Sequence, residues 1–151
     1  MGFRIREQMD GTHTFVDGRA DPGPHPFVFR LAWGPERLRD WLDPRGGRFL
    51  WQEARGELRA GGLCDWTACA GTLALEYTRA RIRYVLDFEA GGVAYRYQGE
   101  KRDLRPWNLH RTHTTCHGEL RELERDRLVA TSVVRFSLTQ TPRFLASLRW
   151  A

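Results

Sequence analysis

The chain has 151 residues, 41% of them hydrophobic and 28% charged, which suits one domain over 1–151 with a substantial core and excludes disorder. Its net charge of +5 comes from arginines spread among 19 acidic residues, a solvated and mildly basic surface rather than a nucleic-acid footprint. No run of about 18 apolar residues offers a membrane span. The opening MGFRIREQMDG is too polar for a signal peptide, so the expectation is a cytoplasmic protein without nucleic-acid or membrane partners.

Phe3 to Met9 alternates weakly and predicts a first strand, with His13 to Val16 as its continuation or its partner. Asp21 to Pro26 carries three prolines and reads as a turn-rich connection. Phe27 to Trp33 is a strand with Phe27, Phe29 and Leu31 on one face. Gly34 to Asp43 predicts a short helix: Pro35 suits its first turn, Leu38, Trp41 and Leu42 keep helical spacing, and Pro44 stops it. Strand patterns then recur over Phe49–Leu58, Trp66–Tyr77, Arg81–Glu89, Val93–Arg102, Trp107–Cys116 and Arg127–Leu138. Thr141-Pro142 opens a second predicted helix with Phe144, Leu145 and Leu148 as its apolar stripe. The alternative is a terminal strand over Leu148 to Trp150.

The clearest pattern flanks Gly91-Gly92. Ile82, Tyr84, Leu86 and Phe88 share one face before the turn, and Val93, Tyr95 and Tyr97 share one after it. A two-residue glycine loop places Phe88 opposite Tyr95 and Leu86 opposite Tyr97. The same register sets Asp87 against Arg96 and Arg83 against Glu100, so both faces agree. About eight to ten strands in short-looped succession form a meander, which must close or split into two sheets to remove its edges. The expected fold is therefore mainly β, an antiparallel closed barrel with one or two short helices.

An ordered set of residues then points to a family. Glu7-x-Met9-x-Gly11 is followed by Pro26-Phe27-x-Phe29, Tyr84-x-Leu86-x-Phe88, a glycine turn and Gly99-x-Lys101, where Lys101 is the chain's sole lysine. Leu109 to Thr115 comes next, then Leu128-Val-Ala-Thr131, Arg135, Leu138, Phe144, Leu148 and Arg149. This set resembles the lipocalin-like (calycin-like) barrel domains found beside, or fused to, flavin-dependent GMC-type oxidoreductases of the cholesterol oxidase kind. The chain departs from the family at His110, Thr112 and His113, where tryptophan, aspartate and threonine are usual. The resemblance implies a barrel with a helix near its C-terminus. It also implies a flavin-dependent oxidoreductase acting on hydrophobic alcohols as partner, and it brings no catalytic residues.

Several residues could carry chemistry. On a helix His113 and His117 would share a face and suit zinc, with His110 nearby, but the intervening threonines favour a strand. On a strand His113 and His117 stand roughly 13 Å apart, too far for one ion, and Cys116 faces away from both. The three cysteines, Cys64, Cys69 and Cys116, lack zinc-ribbon spacing and read as reduced thiols. Glu53, Glu57 and Glu76 have no sequence partner, and the glycine pairs lack phosphate-loop spacing. The leading expectation is a non-enzymatic barrel that binds a small hydrophobic ligand or acts as an accessory module to a redox enzyme. Phe29, Tyr84, Leu86, Phe88, Tyr95 and Tyr97 would contact the ligand, with His113 at a mouth, the Asp21–Pro26 connection as a guard, and no cofactor or metal. The alternatives are an enzyme using His110, His113 or His117 as general base, and a nucleic-acid binder.

Overall fold

A computed structural model describes residues 3–46, 49–76, 81–101, 115–136 and 149–150. Eight antiparallel strands form a closed barrel: β1 (Phe3–Phe15), β2 (His25–Trp33), β3 (Trp51–Ala60), β4 (Cys64–Glu76), β5 (Arg81–Ala90), β6 (Val93–Lys101), β7 (Thr115–Glu122) and β8 (Arg127–Phe136). Each strand pairs with the next, and β1 closes the sheet by pairing with β2 through Ile5–His13 and with β8 through Met9–Phe15. A two-residue strand, β9 (Arg149–Trp150), pairs with Phe3 and Arg4. The fold class expected from the alternation is the one observed.

The expected hairpin is reproduced residue for residue. Gly91 and Gly92 have φ of 58° and 78°, the pair of positive values that a primed hairpin turn requires. Phe88 pairs with Tyr95, Leu86 with Tyr97, Asp87 with Arg96 and Arg83 with Glu100. On the wet face Arg96 grips Asp87 through Nε and Nη2 at 2.7 and 3.0 Å.

Other boundaries move for physical reasons. The two N-terminal segments are one strand, continuous through Gly11. Pro26 belongs to β2 rather than to the preceding connection, since proline is tolerated near a strand's start. The first helix, α1, covers Leu38–Leu42 only: Arg37 provides no side-chain cap and α1 buries no residue. β7 runs six residues past the expected end at Cys116. Its inward row is Cys116, Gly118, Leu120 and Glu122, so glycine and glutamate interrupt the apolar alternation that would have announced it. Of the two C-terminal readings, the terminal strand holds for Arg149–Trp150. The helix expected from Thr141, and residues 107–114 of the expected Trp107–Cys116 strand, lie outside the described residues.

The inner wall is aromatic. Phe27 and Phe29 lie 5.1 and 5.5 Å from Tyr97 by ring centroids, and Phe29 lies 5.8 Å from Tyr84. Met9, Leu58, Leu73, Leu86 and Leu120 complete this layer, all essentially unexposed. Each such side chain contributes on the order of 1.5–3 kcal/mol by leaving water. The two barrel ends differ. One is joined by the short turns 61–63, 91–92 and 123–126 and by residues 16–24, whose Pro22 carbonyl accepts from the Phe15 amide at 2.8 Å. The strands β2, β4, β6 and β8 leave from the other end, where the connections of sequence 34–50, 77–80, 102–114 and 137–148 begin.

Candidate functional site

The inward row of β1 is Ile5, Glu7, Met9, Gly11 and His13, and that of β6 is Tyr95, Tyr97, Gly99 and Lys101. Period-two geometry therefore points one carboxylate, Glu7, and one ammonium, Lys101, inward at the same end of the barrel, where Ile5, Leu75 and Ile82 are apolar neighbours. Tyr84, inward on β5, donates from its hydroxyl to Glu7 Oε1 at 2.9 Å. Lys101 Nζ stands 3.8 Å from Glu7 Oε2 and 5.3 Å from the Tyr84 ring centroid. The Lys101 and Glu7 side chains are only 6% and 5% exposed. At 3.8 Å the pair is Coulombic rather than hydrogen-bonded, and Nζ has no hydrogen-bond acceptor among the described residues. Burial, and next the Glu7 charge, push the Tyr84 phenol well above its ordinary range, so it remains a donor at any working pH.

An apolar rim surrounds this cluster. Ile82 pairs with Lys101, Leu75 pairs with Ile82, and Ile5 pairs with Trp33 across the closing seam. Trp33, Leu75 and Ile82 are half-buried and pack on the core. Below the cluster Phe29, Tyr84, Leu86 and Tyr97, four of the residues expected to touch a ligand, lie in contact with one another or with the same aromatic layer. Phe88 and Tyr95 lie nearer the Gly91-Gly92 turn and stack on each other at 5.5 Å. His113 and His110 lie outside the described residues.

Cys116 faces inward beside Tyr97, Sγ to Oη 3.3 Å, while His117 is exposed on the outer wall. Backbone alternation therefore separates the adjacent thiol and imidazole that a nucleophilic pair would need. Burial raises the Cys116 thiol to about 11 and the Cys69 thiol to about 12, leaving both protonated and weakly nucleophilic. His117 lines a groove of about 580 Å³ that runs over the outward Thr12, Gln98 and Thr131 and reaches Gly99, Gly118 and the buried Tyr84 between the strands. The arginines of the β5–β6 outer wall are paired: Arg81 and Arg83 with Glu76 and Glu100, and Arg96 with Asp87. Among the described residues no three His, Cys, Asp or Glu side chains converge as metal ligands, and no helix is long and apolar enough to cross a membrane.

At the short-turn end His13 is buried, its Nε2 donating to the Gly61 carbonyl at 2.8 Å and its ring packed edge-on to Phe15 at 4.7 Å. Burial lowers the His13 pKa, with His25 and Arg19 adding to the effect and the Gly61 carbonyl opposing it. The unfolded chain, with a histidine near 6.5, therefore binds the proton more readily than the fold does. The neutral imidazole's contribution to stability is complete above about pH 6.5 and is lost as pH falls from there through the lower folded value. Urea midpoints measured between about pH 7.5 and pH 5 should drop in the wild type, and less steeply in His13→Gln.

Glu7 and Lys101 are the site residues that the sequence analysis did not single out for chemistry. The signal was present: each is a charged residue in an apolar row of period two. Comparison with protein-family models, with curated proteins and with solved structures finds no match to this chain.

Proposed function

We propose that the barrel is a non-enzymatic binding module for a small amphipathic molecule. The apolar body of that molecule enters at the Ile5–Trp33–Leu75–Ile82 rim, and its polar head meets Glu7, Tyr84 and Lys101. One observation carries the reading: an ammonium side chain nine-tenths buried with no hydrogen-bond acceptor among the described residues, beside a carboxylate too far to serve as one. Burying two charges costs several kcal/mol each, and a polar ligand head inserted between them would recover part of that loss. Phe29, Leu86 and Tyr97 form the floor on which the ligand rests, with Phe88 and Tyr95 supporting it from below. The resemblance to barrel domains of GMC-type oxidoreductases supports a flavin enzyme handling hydrophobic alcohols as the partner. Three unbridged cysteines suit a cytoplasmic setting.

Native mass spectrometry of freshly purified protein, paired with decanol titration followed by tryptophan fluorescence, tests the proposal. The expected result is a retained lipid-sized passenger, or saturable decanol binding with a Kd on the order of micromolar, about 8 kcal/mol. A passenger-free protein that ignores decanol would sink it.

A further inference from the structure

We infer that Lys101 is a carbonyl-capturing amine: an apolar aldehyde admitted at this end of the barrel condenses with Nζ to a reversible imine. The inference rests on the binding proposal above and specifies the ligand's head group. Three features of the site point to it. The Lys101 side chain is nine-tenths buried, yet Nζ holds no hydrogen bond to a described residue, so capture would break none among them. Its counter-charge, Glu7, is itself fixed by the Tyr84 hydroxyl at 2.9 Å, which keeps a carboxylate within 3.8 Å of the reacting nitrogen. The neighbouring inward side chains, Ile82 and Leu75 on one side and Ile5 and Trp33 on the other, suit an alkyl chain rather than a sugar or a nucleotide. A neutral carbonyl reaches Nζ without adding a second negative charge beside the Glu7 carboxylate.

The chemistry closes without an oxidant or a reductant. A shift of about 1 Å brings Nζ into hydrogen-bond range of Oε2, and the proton passes to Glu7. The freed nitrogen pair bonds to the carbonyl carbon as the C=O π pair moves onto oxygen, which takes that proton back from Glu7. Glu7 then accepts a second proton from nitrogen and returns it to the departing hydroxyl, so that water leaves as C=N forms. The product is a protonated imine whose positive charge stands where the ammonium stood, opposite the Glu7 carboxylate. Hydrolysis by the reverse path releases the aldehyde.

The sequence makes the test clean, because Lys101 is the only lysine and the chain's other primary amine is its α-amine. Wild type and Lys101→Arg, which keeps a positive charge opposite Glu7, are incubated with equimolar decanal and sodium cyanoborohydride, then read by intact mass and peptide mapping. The expected result is one decyl group per chain at Lys101, dependent on the reductant, absent from Lys101→Arg and suppressed about tenfold by excess decanol. Decanol binding with no adduct at Lys101 overturns the imine and leaves the binding proposal standing. Labelling confined to the α-amine, with no decanol binding, overturns both.

Discussion

Gly71→Ala is expected to remove about 3 kcal/mol or more of stability, a large part of what a domain of this size has in hand. Gly71 lies in mid-β4, paired with Ala54 on β3 and Leu86 on β5. A Cβ built there would overlap the Val85 carbonyl oxygen and stand 2.8 Å from the Val85 carbonyl carbon and 3.0 Å from the Leu86 Cα. All three atoms are backbone, so no side chain can swing aside to relieve the overlap. The β4–β5 ladder itself must open, and each ladder bond lost costs about 1 kcal/mol. Gly91→Asn is the control, because asparagine tolerates φ of 58° in a primed turn and a Cβ at Gly91 meets nothing within 4 Å. Urea unfolding should show Gly71→Ala far to the left of wild type and Gly91→Asn within about 0.5 kcal/mol of it. Equal midpoints for Gly71→Ala and wild type would mean that β4 and β5 do not approach as closely as the barrel requires.

Gly71 also shows where a sequence speaks and where it falls silent. The β5–β6 hairpin could be read in full because three independent constraints coincided. Its turn chemistry, its inner aromatics and its outer charge pairs all demanded one register. β7 could be read only at its start, because Gly118 takes an inward position where Tyr97 already fills the space: a Cβ there would lie 2.7 Å from the Tyr97 Cζ. A residue kept small by a partner on another strand carries no local signal of being in a strand. Gly11 hid the continuity of β1 in the same way, since the constraint on it is the backbone of Val133 and Val134 on β8. The candidate site was obscured for a different reason. Aromatic rows drew attention to Phe29, Tyr84 and Tyr97, which pack on one another or share a common ring neighbour. Glu7 and Lys101 are 94 residues apart in number, and only barrel closure brings them together.

That closure makes the Glu7–Lys101 pair the second large expected effect, one that separates a mutual charge interaction from two unrelated core positions. Lys101→Met preserves most of the side chain's volume but leaves the Glu7 carboxylate buried, with the Tyr84 hydroxyl as its one described hydrogen bond. Losing one member of a buried pair typically costs about 3–5 kcal/mol, most of it the penalty of the uncompensated charge that remains. Glu7→Gln should also destabilise, by leaving the ammonium without its counter-ion, although the amide oxygen can still accept from Tyr84. The double variant Glu7→Gln/Lys101→Met contains neither buried charge. It should therefore be more stable than Lys101→Met alone, with a coupling of about 2 kcal/mol or more in a double-mutant cycle. Raising the salt concentration should leave this coupling nearly unchanged, whereas the exposed Arg96–Asp87 pair on the outer wall should weaken under the same treatment. Strict additivity of the two single substitutions would show that Glu7 and Lys101 do not compensate each other inside the barrel, and both the ligand head-group site and the imine would lose their physical basis.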